Sequence, residues 1–244
     1  MSAVQRLSAP AEVIAHRGAS AHVLENTFAA FDLALAQGAD VLELDVRVTA
    51  DGRVVAIHDP TLLRTTGDLR PVGAVSSRAL RALDAAVRPP TLDAVLDRYA
   101  RSTRLCVDLK DPTPAWELEV ATALTARGLE DRVVVQSFDE AALRRVRRAA
   151  PALAVAPLLR LRPSDLRLGG IARFAAAVGV RRTAIDGGLL RAAHALGLPV
   201  MVWTADDPQE IERLLALGVD GVITNAPGVA RAVVDGFAAV PAAA

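Results

Sequence analysis

Two carboxylates and a histidine lie close together in one short stretch of the sequence. Glu43 and Asp45 belong to the apolar run 41–48, and His58 closes a second apolar run over 53–58. Polar side chains on otherwise apolar strands rarely face a core unless they bind something. These residues are therefore candidates for a site that binds a cation and transfers protons.

The spacing predicts that a β-hairpin brings the three side chains to one face. Asp51-Gly52 is a strong signal for a two-residue type I′ turn, because both residues tolerate a positive φ. Such a turn pairs His58 directly with Asp45, and Glu43 shares their face because side chains alternate along a strand. The simpler alternative is that all three are exposed hairpin positions.

Further polar residues stand at the ends of other predicted strands. The first strand ends in His16 and Arg17, the third carries Asp108 and Lys110, and the seventh ends at Trp203. In a barrel of parallel strands these ends meet at one face, where active sites lie. Trp203 is counted with the substrate-binding residues, although a core position is an equal alternative.

Three of these side chains are carboxylates. Glu43, Asp45 and Asp108 make an all-oxygen set, which suits Mg²⁺ or Ca²⁺ and suits zinc poorly. We therefore expect one divalent cation as cofactor, with the choice between the two metals open.

The remaining candidates are cations and imidazoles. Arg17 and Lys110 are left to hold an anionic group, and His16 and His58 are the expected acid and base near neutral pH. Lys110 is the only lysine, since every other member of the 28 basic residues is arginine, which indicates a position where guanidinium does not serve. A hard metal, cations and two histidines around one cleft describe phosphodiester cleavage.

The elements that must position these residues alternate between strand and helix. Nine strands are predicted, but a two-residue turn joins only antiparallel neighbours, so 53–58 lies outside the parallel sheet. Eight βα units remain, which predicts a (β/α)₈ TIM barrel with a hairpin and a short excursion, near 59–90, after the second barrel strand. In the later part we expect a helix over 164–178, ended by Gly179, and a strand over 182–186.

Composition limits the other classes of function. The 244 residues are read as one domain, 1–244, with a core of about 12–236, although the length also fits two ordinary domains. Equal counts of acidic and basic residues, 28 each, leave no net field to attract nucleic acid or an anionic membrane. No run approaches a membrane span, Met1–Leu7 lacks the apolar region of a signal peptide, and the single cysteine fits a reducing cytoplasm.

These motifs together resemble the glycerophosphodiester phosphodiesterase family of (β/α)₈ barrels. The matching segments, in the family's order, are His16-Arg17-Gly18, Glu25-Asn26-Thr27, Glu43-Leu44-Asp45-Val46 with Asp51-Gly52, His58-Asp59 with Thr61-Leu62, Pro90-Thr91-Leu92, Asp108–Lys110, Ser137-Phe138, Trp203-Thr204 and 218–224. The match covers roughly residues 13–230, and its first four segments together are highly specific.

The resemblance implies metal-dependent hydrolysis of glycerophosphodiesters to glycerol 3-phosphate and an alcohol. It implies an acid–base pair of His16 and His58, metal ligands Glu43, Asp45 and Asp108, and phosphate contacts from Arg17 and Lys110. The resemblance does not decide whether water or the substrate's own glycerol hydroxyl is the nucleophile. It also does not decide which histidine is the acid and which is the base.

The chain departs from the family pattern at three positions. Asp108 stands where glutamate is usual, Leu24 where proline is common, and Asn225 where aspartate is common. The shorter carboxylate requires a contracted metal site or a water in it. The excursion after His58 is short, and the sequence does not determine which alcohol the reaction releases.

Two other functions remain open from the sequence. A lysophospholipase D-like enzyme would use the same site but needs an apolar mouth, which the 3% aromatic content disfavours. A barrel that binds glycerophosphodiesters without turnover is supported only by Asp108 and Asn225, and the presence of both histidines disfavours it.

Overall fold

The protein is described by a computed structural model over residues 11–111 and 113–239. The stretch Met1–Leu7, for which the sequence predicts no signal peptide, lies outside the described residues. Across the described ranges no helix is both long enough and apolar enough to cross a membrane.

Eight parallel strands close into a barrel, and a ninth strand pairs antiparallel with one of them. The strands are β1 (Glu12–Ala15), β2 (Val41–Val48), β3 (Val54–Ala56), β4 (Arg104–Leu109), β5 (Val133–Ser137), β6 (Ala154–Leu159), β7 (Val178–Arg181), β8 (Val200–Trp203) and β9 (Gly221–Thr224). Their order around the sheet is β1-β9-β8-β7-β6-β5-β4-β2-β3, and pairing of β1 with β2 closes the ring. The predicted TIM barrel is confirmed.

Helices follow the strands and cover the outside of the barrel. They are α1 (Phe28–Ala36), α2 (Leu63–Thr66), α3 (Ser77–Arg81), α4 (Leu92–Tyr99), α5 (Pro114–Thr125), α6 (Glu140–Ala149), α7 (Asp165–Ala172), α8 (Gly187–Ala195), α9 (Pro208–Leu217) and α10 (Pro227–Ala238). Thr27 and Thr91 cap α1 and α4, because each hydroxyl accepts a backbone N–H in the first turn. Side chains from strands and helices pack between the two layers, as the apolar strand sequences predict.

The excursion after the second barrel strand has a small core of its own. It contains α2, a 3₁₀ turn over Val72–Ala74, and α3. Its core combines Val55 and Ile57 from the hairpin with Leu62, Val72 and Leu80 from the excursion. The excursion is thus packed on the hairpin rather than extended into solvent.

The register predicted for the hairpin is wrong by one residue. Val48 pairs with Val54 and Val46 with Ala56, so Asp45 aligns with Ile57 rather than with His58. The loop has three residues, and Gly52 alone takes a positive φ, +77°. This is a type I turn followed by a left-handed residue, which is the common three-residue hairpin loop.

The seventh barrel strand lies earlier than predicted. The helix expected over 164–178 ends at Ala172, and β7 runs over Val178–Arg181, before the predicted strand at 182–186. Gly179, interpreted as a helix stop, is inside this strand, where a Cβ would lie 2.4 Å from Leu158 Cδ2. The glycine therefore marks a close approach between neighbouring strands.

Candidate active site

A cleft of about 190 Å³ opens at the carboxyl ends of the barrel strands. All the predicted site residues except Asp45 line it; they are His16, Arg17, Glu43, His58, Asp108, Lys110 and Trp203. Asp45 does not line the cleft and is fully buried. His58 therefore reaches the site although its predicted pairing with Asp45 is wrong.

Three acidic side chains form the floor of this cleft. The register of β2 against β4 pairs Asp45 with Asp108, and Glu43 lies two residues earlier on the same face of β2. One oxygen from each carboxylate lies within 4.8 Å of the others. Their exposed fractions are only 0–3%, so the cluster is held away from bulk solvent.

Two cations contact the acidic cluster. Arg17 Nε lies 2.9 Å from Asp45 Oδ2, and Lys110 Nζ lies 2.9 Å from Asp45 Oδ1 while also contacting Asp108. Burial alone would raise the pKa of Asp45, but Lys110 and Arg17 hold it well below its usual range. Burial alone would lower the pKa of Lys110, but Asp45 and Asp108 raise it, so the ammonium stays charged.

The negative charges of the other two carboxylates, Glu43 and Asp108, are less well balanced by nearby cations. Burial, together with the charges of Asp45 and Asp108, raises the pKa of Glu43 well above its usual range. Burial likewise raises the pKa of Asp108 to about 6, although Lys110 acts against it. Asp108 Oδ1 is buried and has no hydrogen-bond partner among the described residues. An all-oxygen cluster with surplus negative charge and a buried lone oxygen fits a hard divalent cation.

The loop between β1 and α1 holds the cluster from above. Its residues Arg17 and Asn26 both have positive φ, 59° and 54°, which is uncommon outside glycine. The Arg17 amide donates to Glu43 Oε2 at 2.9 Å, and Asn26 Nδ2 donates to Asp45 Oδ2 at 3.0 Å. Asn26 Oδ1 in turn accepts the Asp45 amide. The sequence analysis named Asn26 only within a segment that matches the family, and it did not foresee this two-point contact with Asp45.

Hydrogen bonds fix the ring of His16. Its Nδ1 lies 2.7 Å from Asn225 Oδ1, while Asn225 Nδ2 donates to Asp206 at 2.7 Å. Because a carboxylate only accepts hydrogen bonds, the Asn225 amide nitrogen faces Asp206 and its oxygen faces His16. The ring proton of a neutral His16 therefore lies on Nδ1, and Nε2 carries the lone pair. Burial, and next the charge of Arg17, lowers the pKa of His16, so the neutral ring is favoured.

His58 is held by a different carboxylate. Its Nδ1 lies 2.7 Å from Asp59 Oδ1, and Arg64 of α2 connects Asp59 to Glu25 through contacts of 2.6 and 2.7 Å. Glu25 also pairs with Arg17 at 3.1 Å. His58 is thus linked to the acidic floor, since Arg17 in turn contacts Asp45.

An aromatic wall forms the side of the cleft opposite the hairpin. The rings of Phe138 and Trp203 meet edge to face with centroids 5.5 Å apart. Trp203 lines the cleft, which is one of the two positions that the sequence analysis left open for it. Arg160 stacks on Phe138, with Cζ 4.1 Å from the ring centroid. Gln136, whose amide donates to Glu43 at 3.2 Å, also lines the cleft. The sequence analysis named Phe138 only within a segment that matches the family and gave no signal for Arg160.

The fold and this acidic, cation-flanked cleft define a (β/α)₈ barrel hydrolase of the phosphoric diester class. The profile of the Glycerophosphoryl diester phosphodiesterase family matches residues 16–229. The chain therefore belongs to that family, as its motifs indicated. The matched residues extend from the end of β1 to the start of α10, so the match covers almost the whole barrel.

Individual relatives agree with this assignment. The Bacillus subtilis protein YhdW is 34% identical over 229 residues, which cover 88% of this chain and 94% of YhdW. The glycerophosphodiester phosphodiesterase of Caldanaerobacter subterraneus is 33% identical, with 88% and 94% coverage. An Oleispira antarctica phosphodiesterase, solved with its product sn-glycerol-3-phosphate, is 27% identical with a TM-score of 0.82 and covers 96% of this chain and 100% of its own.

Proposed function

We propose that this protein hydrolyses glycerophosphodiesters to glycerol 3-phosphate and an alcohol, with a divalent cation and a pair of histidines. The observation that carries the proposal is the meeting of three buried carboxylates, two cations and two histidines in one cleft of a family member. The product bound to the Oleispira antarctica relative supports the same product here.

The proposed metal ligands are Glu43, Asp45 and Asp108. The lone oxygen on Asp108 and the surplus charge of the cluster support this set. When bound there, Mg²⁺ or Ca²⁺ would stabilise negative charge that develops on the phosphoryl oxygens. Gln136 and Asn26 orient Glu43 and Asp45 through hydrogen bonds, which keeps their oxygens directed into the cluster.

Arg17 and Lys110 are the proposed contacts to the phosphate. Both line the cleft and both already touch the carboxylates, so their charges are fixed at the floor where a phosphoryl group would lie. Positioned cations of this kind stabilise the transition state more than the ground state, because charge on the oxygens increases along the reaction.

The two histidines are the proposed proton carriers, with His16 as base and His58 as acid. A neutral His16 with its proton on Nδ1 keeps a lone pair on Nε2 for accepting a proton. Asp59 holds the His58 ring through Nδ1, so Nε2 is the nitrogen left to protonate the leaving alkoxide. The nucleophile is either water or the substrate's own glycerol hydroxyl.

A second candidate substrate is a lysophospholipid, cleaved at the same site. The observation in its favour is a set of exposed apolar side chains in the segments that follow two of the barrel strands: Leu63, Leu69, Leu161 and Leu166 are 50–89% exposed. Apolar surface of this kind suits contact with an acyl chain.

We further propose a cytoplasmic location. The support is compositional, since the sole cysteine, Cys106, is buried in the barrel interior and forms no disulfide.

A turnover assay on the purified protein tests the function. Release of glycerol 3-phosphate from glycerophosphocholine is measured after EDTA treatment and again after Mg²⁺ or Ca²⁺ is restored. We expect activity only with the cation. Asp108→Asn should lose this cation-stimulated activity, whereas Asp131→Asn, an exposed control, should keep it.

Each result discriminates between the alternatives. Full activity in excess EDTA contradicts the metal, and absence of glycerol 3-phosphate under every condition contradicts the function. Faster release of choline from lysophosphatidylcholine than from glycerophosphocholine favours the lysophospholipid.

A further inference from the structure

One cation in the cleft has no carboxylate partner. Arg17 and Lys110 are both ion-paired to the acidic floor, whereas Arg160 forms no ion pair within the described part of the chain and contacts Phe138 instead. Arg160 follows β6 directly and lines the same cleft as the two histidines. Its charge is therefore available to a ligand.

Phe138 limits where this guanidinium lies. Arg160 Cζ is 4.1 Å and Lys110 Nζ is 5.9 Å from the Phe138 centroid, so the two cations are no more than about 10 Å apart. Lys110 marks the proposed phosphate position. A diester with its phosphate there, and with a short alcohol that carries its own charged group, has the length to reach Arg160.

The same wall is unfavourable to a cationic alcohol. Aromatic rings bind quaternary ammonium groups when their faces are open. Here Phe138 already contacts Arg160 and packs edge to face with Trp203. Among the described residues, the carboxylates that line the cleft are Glu43 and Asp108, which belong to the proposed metal site. Several carboxylates in the surrounding loops are already neutralised by arginine: Asp186 by Arg162, Glu25 and Asp59 by Arg64, and Asp111 by Arg47.

We propose that Arg160 is a specificity residue, which selects glycerophosphodiesters whose alcohol half carries an anionic group, such as a second phosphate or a carboxylate. The inference rests on the proposed function and names the substrate class for the same site. The side chain is exposed, so solvent weakens its charge, and a partner of this kind contributes up to roughly fivefold in affinity.

The test compares kcat/KM for diesters of glycerol 3-phosphate with four alcohols. These are glycerol as the neutral reference, choline as the cation, and glycerol phosphate and glycerate as the two anions. We expect the wild type to prefer the anionic substrates over choline, and the two anionic arms show whether phosphate or carboxylate is favoured.

Variants of Arg160 then isolate its charge. Arg160→Gln is expected to lower the anion-to-choline ratio roughly fivefold, mainly through KM, and Arg160→Glu to lower it further, towards choline. Arg160→Lys keeps the charge and most of the ratio. Arg181→Gln is the matched control, because Arg181 is exposed at the end of β7, does not line the cleft and leaves the ratio unchanged.

The outcomes separate the two proposals. An unchanged ratio in Arg160→Gln, or an equal loss for all four diesters, overturns the inference and leaves the proposed function intact. A wild-type protein that cleaves none of the diesters contradicts the proposed function and this inference together. High salt should shrink the preference for anions, since an exposed charge is screened.

Discussion

Replacing Asp108 by asparagine should stabilise the metal-free protein at alkaline pH while it removes activity. Burial raises the pKa of Asp108 to about 6, whereas an aspartate in an unfolded chain titrates near 4. The folded state therefore binds this proton more tightly than the unfolded state. Folding takes up a proton between about pH 4 and 6, and the free energy of unfolding falls as pH rises through that interval.

The size of the effect follows from the pKa difference. Two pKa units correspond to about 3 kcal/mol. The introduced asparagine amide does not reproduce every polar contact of the carboxyl, which reduces the gain. We therefore expect Asp108→Asn to be roughly 1–3 kcal/mol more stable than the wild type at pH 8. Below about pH 3 the difference should vanish, because the wild-type carboxyl is then protonated in both the folded and the unfolded state. Added Mg²⁺ or Ca²⁺ should reverse the order, since the cation stabilises only the wild type.

Urea denaturation of EDTA-treated protein at several pH values measures this. Asp131→Asn is the matched control: its carboxylate is exposed, so its free energy of unfolding should stay within about 0.5 kcal/mol of wild type at every pH. An Asp108→Asn protein that is less stable than wild type at pH 8, or a difference that does not change with pH, would refute the reasoning.

Four further substitutions test the lysine, the two histidines and the loop above the cluster. Lys110→Arg should lower kcat/KM at least tenfold, about 1.4 kcal/mol, because a wide guanidinium does not fit between Asp45 and Asp108; Arg101→Lys on the exposed surface is its control, and kinetics within twofold of wild type would contradict the prediction. His16→Ala and His58→Ala should each lower kcat at least ~10²-fold with little change in melting temperature, and near-normal turnover of either variant removes that histidine from the mechanism. Asn26→Ala should cost about 1–3 kcal/mol of stability in denaturation, since it leaves the buried Asp45 amide without an acceptor; an unchanged midpoint would show that the contact contributes little.

The barrel and most of the site could be predicted because they depend on strand order and on alternation. Once Glu43, Asp45 and Asp108 are assigned to neighbouring parallel strands, the period of two places their side chains on one face. The structure adds the register of β2 against β4, which pairs Asp45 with Asp108 directly. Their roles as metal ligands remain predictions.

The hairpin register was wrong because contacts from a distant segment decide the turn. Asp51 accepts hydrogen bonds from the Ser77 amide and hydroxyl at 2.8 Å, and from the Thr49 hydroxyl at 2.7 Å. The two bonds from Ser77 come from the excursion, and they help to keep Asp51 out of the positive-φ region that a type I′ turn needs. Local turn preferences could not reveal them.

Other errors have a similar origin in tertiary contacts. Residues 173–178 include three consecutive alanines, which suit a helix, and the close approach of Gly179 to Leu158 is a contact that this stretch of sequence does not reveal. Arg160 and Asn26 act through neighbours far away in sequence, Phe138 and Asp45 respectively. Their contributions depend on the assembled barrel.

The two halves of β2 have different neighbours on one edge. The lower half pairs with β1 through Val41 and Leu42, while the upper half pairs with β3 through residues 46–48. The ring is therefore sealed below the point at which the excursion leaves it. Insertions or deletions in the excursion can therefore accumulate over evolution without breaking the β1–β2 pairing that closes the barrel. This makes the excursion a segment where substrate preference can change while the barrel stays the same.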